Sequence, residues 1–304
     1  MKVFKFLRYL IETIIIIFFF FIFKIIGLKK SSFISGKIFL FFGKFFRSEK
    51  KIENNLKIAF PNLTNIEIKE HISEMWNYYG KVFAEYIFLN DLRKNQKGNI
   101  QINGIDILNK LKENNESVIF VSGHFDNFEL MAMYLEKSGI KLSAVYRPLN
   151  NFFMNLIMER LRKKYICKKQ IKKGRVGLRD SLKLFNEGYS VALMIDQRVS
   201  EGSKIKFFNK EAYTTTIPGQ FVKKFNCKVI PIDIVRINDI DFKIQIFEPF
   251  EFKENVSIDE ITLELNKWLE KIIKKNPSKW IWSHNRWKYN YCVSLFFAAS
   301  TYEK

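Results

Sequence analysis

One histidine stands where an α/β protein would place a catalytic group. In the segment VIFVSGHFDNFELMAMYL, a hydrophobic strand ends at Ser122 and Gly123, His124 follows on the exit loop, and a helix begins directly afterwards. Ligands of α/β sheets bind outside the carboxyl ends of the strands, so this position favours a functional histidine. An imidazole there could act as a general base toward an alcohol.

Glu129 is the candidate partner of that base. Residues five apart lie about 140° from each other around a helix, so the two side chains can meet only if His124 precedes the helix and Glu129 lies in its first turn. A carboxylate there could orient one ring nitrogen while the other takes a proton. The segment from Asp126 to Glu129 also has the form of a capping box. Both interpretations of Glu129 are open at this point.

Strands that alternate with helices must position these residues. Short β-branched runs recur along the chain: QINGI, SVIFVSG, KLSAVYR, YSVALMIDQ and KVIPIDIVRI. Helical patterns separate them, which predicts an α/β fold with a mostly parallel sheet flanked by helices. A late run, DFKIQIFEPF, could pair antiparallel. Arg147 and Asp196 stand at the ends of two of these strands, at the same edge as His124.

The N-terminal segment 1–30 is almost wholly apolar from residue 6 to residue 28. At about 1.5 Å per residue, that run approaches the ~30 Å hydrocarbon core of a bilayer. A transmembrane anchor, an interfacial amphipathic helix and a signal peptide are the open interpretations. The lack of an A-x-A-like cleavage site favours the anchor. Basic residues flank both ends of the run, so charge does not decide its orientation.

The rest of the chain is expected to form two parts. Residues 31–98 are predicted to be a helical, membrane-proximal segment, in which Pro61 breaks one helix and Thr64 can cap the next. Residues 99–304 hold the alternating elements and are predicted to form the α/β domain on which residues 31–98 pack. The stretch SSFISGKIFLFFGKFFRSEKK mixes aromatics with cations, which suits either the membrane interface or the core helix of a Phe-rich protein.

Composition excludes several classes of protein. The 304 residues carry a net charge of +20 and are 47% apolar, with 32 Phe, which excludes disordered and collagen-like chains. Cys167, Cys227 and Cys292 lie far apart, which disfavours a disulfide scaffold and a zinc site and fits a reducing compartment. No metal or cofactor is expected. The apolar N-terminus and the lack of a groove-reading module disfavour a nucleic-acid partner.

Several blocks of the chain resemble, in order, those of a known family. GHFDNFE resembles the H-x-x-x-x-(D/E) motif of the glycerolipid and lipid A acyltransferase superfamily, in the form found in the bacterial lipid A late acyltransferases. Five further segments are similar to other blocks of that family. They are NLKIAFPNLT, VYRPLNNFFMNLIMERLR, ALMIDQR, KFFNKEAYTTTIPGQF and WIWSHNRWK. The resemblance therefore covers nearly the whole chain. The chain departs from the family pattern at Phe125, Asp126, Phe128 and Asn209.

The resemblance implies a membrane-bound O-acyltransferase at the cytoplasmic side of an inner membrane. Its donor would be an acyl carrier protein thioester or acyl-coenzyme A, and its acceptor a hydroxyl of a phosphorylated lipid A precursor. His124 would be the general base and Glu129 its partner. The implied substrate-binding residues are Phe125, Asn127, Tyr146, Arg147, Asp196, Gln197 and Arg286. Another glycolipid, aminolipid or lysophospholipid acceptor, and a non-catalytic lipid-binding relative, are the alternatives.

The polar strand-end residues have candidate roles within that interpretation. Arg147 could bind a phosphate or the developing oxyanion, or form a structural ion pair. Asp196 could position Arg147 or a sugar hydroxyl, or simply end its strand. The run KYICKKQIKKGR could attract anionic lipid or an acidic carrier protein, or be a solvated face. No serine or cysteine stands in a G-x-S-x-G setting, so direct transfer without an acyl-enzyme is expected.

Overall fold

The computed structural model describes residues 2–288, in which a helical N-terminal part precedes an α/β domain. The first helices are α1 (Lys2–Ile26), α2 (Leu28–Phe46), α3 (Glu49–Ala59) and α4 (Asn65–Glu85). A 3₁₀ turn at Tyr86–Phe88 connects α4 with α5 (Leu89–Lys94). Thr64 caps α4 as predicted, because its side chain accepts from the Glu67 amide and the Glu67 carboxylate accepts from the Thr64 amide.

Strands and helices alternate through the α/β domain. The strands are β1 (Ile100–Asn103), β2 (Ile119–Ser122), β3 (Leu142–Tyr146), β4 (Lys169–Lys172), β5 (Ser190–Met194), β6 (Ser203–Phe207), β7 (Lys210–Thr214), β8 (Val229–Arg236) and β9 (Phe242–Ile246). The helices are α6 (Ile105–Glu113), α7 (Glu129–Lys137), α8 (Phe152–Leu161), α9 (Arg175–Asn186), α10 (Ile217–Phe225) and α11 (Ile258–Lys275). One π-helical turn at Arg162–Ile166 extends α8 toward β4.

Seven strands of the described chain form one sheet, in the order β1-β9-β8-β2-β5-β3-β4. Every neighbouring pair is parallel except β8 and β9, which are antiparallel. The α/β fold with a mostly parallel sheet is therefore confirmed, as is the antiparallel pairing of the late strand. Because β2, β3, β4, β5 and β8 run in one direction, their carboxyl ends lie along one edge of the sheet.

Three strands were not predicted from the sequence. β4 is the outermost strand beside β3, and only Ile171 of its four residues is buried. Lysines protect the unpaired side of an edge strand, but they also remove the apolar alternation by which a strand is recognised. β6 and β7 form a separate antiparallel hairpin, whose turn residues Phe208 and Asn209 have φ of 50° and 58°. Asparagine tolerates that conformation, so it can replace the glycine of the family pattern.

Helices α2 and α4 pack so closely that glycine is needed at their contact. A methyl group at Gly80 of α4 would overlap the backbone carbonyl of Ser35 on α2, and one at Gly43 of α2 would overlap the ring of Trp76. Ile72 of α4 is buried in the same apolar core as the central strands β2 and β8. Through α4, the helical N-terminal part therefore shares one core with the sheet.

One face of α1 packs on the protein, while its other faces are open. The buried stripe consists of Tyr9, Thr13, Phe20 and Phe23. The last two of these share a small apolar cluster with α4, the 3₁₀ turn and α8. Residues Val3–Ile26 have a mean hydropathy of 2.5 and are long and apolar enough to cross a bilayer. The boundary expected at residue 30 falls in the first turn of α2, which begins at Leu28.

Candidate active site

His124 and Asp196 meet at the carboxyl edge of the sheet. Ser122 of β2 and Met194 of β5 are register partners on neighbouring parallel strands, and each functional side chain follows its strand by two residues. Nδ1 of His124 lies 2.8 Å from Oδ1 of Asp196, and the backbone amide of His124 donates to Oδ2 at 2.8 Å. Because the two strand ends are paired and each residue lies two positions beyond its strand, His124 and Asp196 come into contact.

Asp196 is ionised although it is only 1% exposed. Burial raises its pKa, but the charge of His124, the hydrogen bonds from its ring and amide, and one from Trp280 together lower the pKa to about 2. Nε1 of Trp280 donates at 2.9 Å. A carboxylate without a proton can only accept, so Nδ1 of His124 carries the shared hydrogen. Nε2 is then the nitrogen of the neutral ring that can accept a proton.

Gln197 and Phe128 contact the partly exposed side of the His124 ring. The side-chain nitrogen of Gln197 lies 3.5 Å from Nε2, and the Phe128 ring packs edge-on against the imidazole with 4.7 Å between centroids. The His124 side chain is 17% exposed. The ring is thus held by its neighbours and still partly open to solvent, which a general base requires.

Glu129 has other partners than the one predicted for it. Helix α7 begins at Glu129, so the expectation that His124 precedes the helix and Glu129 lies in its first turn is confirmed. The carboxylate, however, accepts from Nε of Arg162 at 2.9 Å and from the Tyr86 hydroxyl. The predicted pairing of Glu129 with His124 is corrected accordingly. A guanidinium is the stronger partner, because it offers a permanent charge and several donors.

The capping box at the start of α7 is not formed. Phe128 occupies the N-cap position, where no side-chain hydrogen bond caps the helix. Asp126 has φ 37° and accepts from the backbone amide of Arg236 at 2.7 Å, with Nζ of Lys279 3.4 Å away. Contacts to β8 and to the segment after α11 therefore hold this loop in its left-handed turn.

Asn127 belongs to a buried polar network beneath the loop that carries His124. It is 1% exposed, and its Nδ2 donates to Glu85 at 2.9 Å. Glu85 is fully buried and also accepts from Ser32 at 2.8 Å and from both terminal nitrogens of Arg236, at 2.7 and 3.0 Å. The expected role of Asn127 in substrate binding is corrected, since its donor group is already used. Asn127 instead ties the loop of His124 to α4 and β8.

Tyr146 and Arg147 end β3, the strand next to β5. The Tyr146 hydroxyl donates to Glu159 at 2.5 Å, and the Arg162 guanidinium lies 5.7 Å from the Tyr146 ring centroid. Arg147 is exposed and forms no ion pair within residues 2–288. The pKa of Lys173 is lowered, first by partial desolvation and then by the charge of Arg147. Two neighbouring cations at this edge are thus available to an anionic group.

Phe125 and Arg286 are buried, which corrects the substrate-binding role expected of them. Phe125 is 2% exposed, and its backbone forms a β-bridge with Trp280. Arg286 is fully buried and donates to the Tyr213 carbonyl and the Thr214 hydroxyl, both at 2.6 Å. Desolvation lowers the pKa of Arg286 to about 10, so it is still a cation at neutral pH. Its role is to hold the β6–β7 hairpin against the last described residues.

A second histidine near the site, His284, is not available as a general base. Desolvation lowers the pKa of His284 to about 4, so the ring is neutral at physiological pH. Its Nε2 accepts from the backbone amide of Arg198 at 3.0 Å. The lone pair that could take a substrate proton is therefore already engaged.

Several polar residues of the site were not predicted from the sequence. They are Tyr86, Arg162, Arg236 and, in its role as a donor to Asp196, Trp280. Glu85 also belongs to this group, and it alone carried a signal, since it interrupts the apolar run VFAEYIFL. A charge on an apolar helix face needs a buried partner. Nothing in the sequence identifies that partner as Arg236, 151 residues later.

The cysteines take no part in this arrangement. Cys167 and Cys227 are free thiols, and burial raises the pKa of both to about 12. Cys292 lies outside the described residues. Within residues 2–288, no three His, Cys, Asp or Glu side chains are grouped as metal ligands.

Asp233 on β8 makes the stability of the fold depend on pH. Burial raises its pKa from 3.8 to about 7. Between about pH 4 and pH 7 the folded chain therefore keeps a proton that the unfolded chain has released, and stability falls as the pH rises. We expect Asp233→Asn to raise the free energy of unfolding by about 2–4 kcal/mol at pH 8 and to leave it unchanged near pH 3.5. Urea unfolding of the detergent-solubilised protein measures this, and a difference independent of pH would contradict it.

Comparison with known proteins finds relatives of one kind. The chain is 25% identical over 252 residues to the lipid A biosynthesis palmitoleoyltransferase of Escherichia coli (strain K12), covering 80% of this chain and 79% of the relative. It is 22% identical over 242 residues to the lipid A biosynthesis myristoyltransferase of the same organism, covering 77% and 73%. Lipid A biosynthesis acyltransferase 2 of Shigella flexneri is 23% identical over 245 residues, covering 78% and 76%.

A solved structure and a family model also match. The crystal structure of the 1-acyl-sn-glycerophosphate acyltransferase of Thermotoga maritima covers 82% of this chain and 93% of its own, with 15% identity and a TM-score of 0.36. The family model described as bacterial lipid A biosynthesis acyltransferase matches residues 1–289. That range includes every residue of the site. The chain therefore belongs to the bacterial lipid A biosynthesis acyltransferase family.

Proposed function

We propose that this protein transfers a fatty acyl chain from an acyl thioester to a hydroxyl of a lipid A precursor, with His124 as the general base. The observation that carries the proposal is the contact of His124 with the buried, ionised Asp196 at the carboxyl edge of the sheet. Membership of the family supplies the substrate class. Two of the relatives are a palmitoleoyltransferase and a myristoyltransferase, which supports a long-chain acyl donor.

The chemistry follows from the tautomer of His124. Nε2 takes the proton of the acceptor hydroxyl while that oxygen attacks the thioester carbonyl carbon. The new C–O bond gives a tetrahedral oxyanion, and its collapse breaks the C–S bond. The proton on Nε2 then passes to the leaving thiolate, so the products are an ester and a free thiol. Asp196 stabilises the imidazolium that exists between the two proton transfers.

The groups around the base divide the remaining tasks. Arg147 and Lys173 are the candidates for binding an acceptor phosphate or the oxyanion, because they are neighbouring cations at the same edge. The Gln197 amide, 3.5 Å from Nε2, can donate to the acceptor oxygen. Glu129 is a positioning residue in this proposal, since it acts through Arg162, whose guanidinium lies over the Tyr146 ring.

We infer that the reaction takes place at the cytoplasmic face of an inner membrane, with α1 as a single-pass anchor. The open faces of α1 present large apolar side chains, among them Ile14, Phe18, Phe21 and Ile25, each more than half exposed. Exposed lysines line β4 and the turn before it. They are Lys163, Lys164, Lys168, Lys169 and Lys172. Such a basic surface supports an acidic acyl carrier protein as the donor.

An assay with the purified protein tests the proposal. The detergent-solubilised protein is mixed with an acyl carrier protein thioester and a lipid A precursor that has a free hydroxyl on its acyl chains. Mass spectrometry should find one acyl group added to the precursor, with one free thiol released per transfer. Parallel reactions with acyl-coenzyme A and with lysophosphatidic acid test the donor and the acceptor. Transfer to lysophosphatidic acid but not to the precursor would overturn the acceptor, and a folded protein inactive in all reactions would overturn the activity.

A further inference from the structure

A basic cavity of about 1040 Å³ lies where α1 meets α2. The chain turns there at Gly27, which has φ 85°. The opposite wall comes from α5, from the segment after it and from the turn between β8 and β9. The volume is at the upper end of the range of ligand-binding pockets. A ligand of substantial size could therefore occupy the space between these elements.

The charges around the cavity are unbalanced. Its lining contains five lysines and two aspartates. Lys24 lies 3.0 Å from Asp91, and Lys29 lies 3.2 Å from Asp239, so two of the lysines are neutralised. The other three are exposed and have no ion-pair partner within residues 2–288: Lys30, Lys94 and Lys97. Three uncompensated positive charges around one cavity favour an anionic occupant.

The cavity also has an apolar side. Phe33 and Ile34 of α2 line it and are 56% and 41% exposed. Farther along α2, Phe41 and Phe45 are also exposed, and Nζ of Lys44 lies 5.9 and 5.4 Å from their ring centroids. Aromatic side chains next to lysines at the end of an apolar helix are typical of the headgroup level of a membrane. The cavity therefore combines an anion-binding part with a surface for hydrocarbon.

We propose that this cavity binds an anionic glycerophospholipid of the surrounding bilayer. Its phosphate lies among Lys30, Lys94 and Lys97, and the upper part of one acyl chain lies against Phe33 and Ile34. The proposal depends on the membrane insertion of α1 proposed above, but not on the acyl transfer. A phospholipid held here fixes the depth at which the α/β domain sits on the membrane.

This site is separate from the catalytic one. None of the residues that line the cavity contacts His124 or Asp196 within the described chain. The cavity borders the side of the sheet where β1 begins, and β1 lies three strand spacings, about 14 Å, from β2. The bound phospholipid is therefore a second lipid and not the acyl acceptor.

Thermal unfolding of the full-length protein in detergent tests the proposal. Saturating dioctanoyl-phosphatidylglycerol should raise Tm by about 5 °C, because a ligand that binds only the folded state stabilises it. Dioctanoyl-phosphatidylcholine should raise Tm by less than about 1 °C. Glycerol 3-phosphate, which carries the phosphate without hydrocarbon, should have no effect at the same concentration. Equal shifts with both lipids, or a full shift with glycerol 3-phosphate, would overturn the proposal.

Charge variants locate the site and distinguish it from the acceptor site. The triple variant Lys30→Gln, Lys94→Gln, Lys97→Gln should raise the Kd for phosphatidylglycerol about 100-fold, since each lysine near a phosphate contributes about fivefold. The matched control changes three exposed lysines elsewhere: Lys110→Gln, Lys243→Gln and Lys253→Gln. A triple variant that binds phosphatidylglycerol as tightly as the control would refute the site. If the triple variant instead loses acyl transfer through a higher KM for the acceptor, the cavity would be the binding site of the acyl acceptor.

Discussion

Asp196→Asn is expected to lower kcat by about 10²- to 10⁴-fold while the protein stays folded. The substituted side chain would place an amide NH₂ opposite Nδ1 of His124, because its oxygen is needed by the backbone amide of His124 and by the Trp280 indole. The imidazole would then move its hydrogen to Nε2 and could no longer accept the proton of the acceptor hydroxyl. Acyl transfer by the detergent-solubilised variant, with its Tm as the check on folding, measures the loss.

A double variant tests whether Asp196 acts through His124. If Asp196 acts only through His124, then His124→Ala with Asp196→Asn should be no slower than His124→Ala alone, because residues that act as a unit are not additive. Asp180→Asn, an exposed aspartate on α9, is the matched control and should keep full activity. The assignment fails if Asp196→Asn stays within about tenfold of the native protein while Glu129→Gln is inactive and still folded. That outcome would return the orienting role to Glu129.

The second large effect is expected from the buried ion pair between Glu85 and Arg236. The two side chains are 0% and 3% exposed. Arg236→Met would leave the Glu85 carboxylate buried with only Ser32 and Asn127 as partners. Removing one member of such a pair costs about 3–5 kcal/mol, because an uncompensated charge remains in the interior. Urea unfolding of the detergent-solubilised variant should show a loss of that size.

An exposed ion pair provides the control. Lys267 and Glu264 on α11 lie 3.2 Å apart with side chains 60% and 47% exposed. Lys267→Met should change the free energy of unfolding by less than about 1 kcal/mol. In the double variant Glu85→Leu, Arg236→Met, much of the lost stability should return, since no unpaired charge is left. If Arg236→Met were as mild as the control, the network beneath His124 would not stabilise the fold.

The position of His124 at the carboxyl edge of the sheet could be predicted from the sequence, but its carboxylate partner could not. The apolar strand before His124 and the apolar strand before Asp196 were both recognisable, because strands buried on both faces read as continuous apolar runs. Their adjacency depends on the strand order, in which β5 inserts between β2 and β3. That order is set by the packing of the whole domain. Nearness in the chain favoured Glu129 as the partner, whereas nearness in the sheet selects Asp196.

Burial of the side chains is the reason for the other corrections to the predicted site. Arg286 and Asn127 stand in polar blocks that suggest contact with substrate, yet both are at most 1% exposed and have their donors engaged inside the protein. A polar residue with an internal partner and one that faces a ligand look the same in a sequence. Arg147 is exposed at the carboxyl edge, in keeping with the position predicted for it. Strand β4 was missed because lysines occupy most of its outward positions.

The buried stripe of α1 limits which helices could replace α1 in this protein. Tyr9, Thr13, Phe20 and Phe23 are as much part of the interior as many residues of the sheet. Asn151 at the start of α8 donates to the Tyr9 carbonyl at 2.9 Å and to the Glu12 carboxylate at 3.2 Å, and the second of these contacts needs a glutamate at this position of the helix. A generic apolar helix of equal length could not replace α1, because it would lack this contact. One face of α1 is therefore constrained by its fit to its own protein, and under the proposed membrane insertion its other faces would contact lipid.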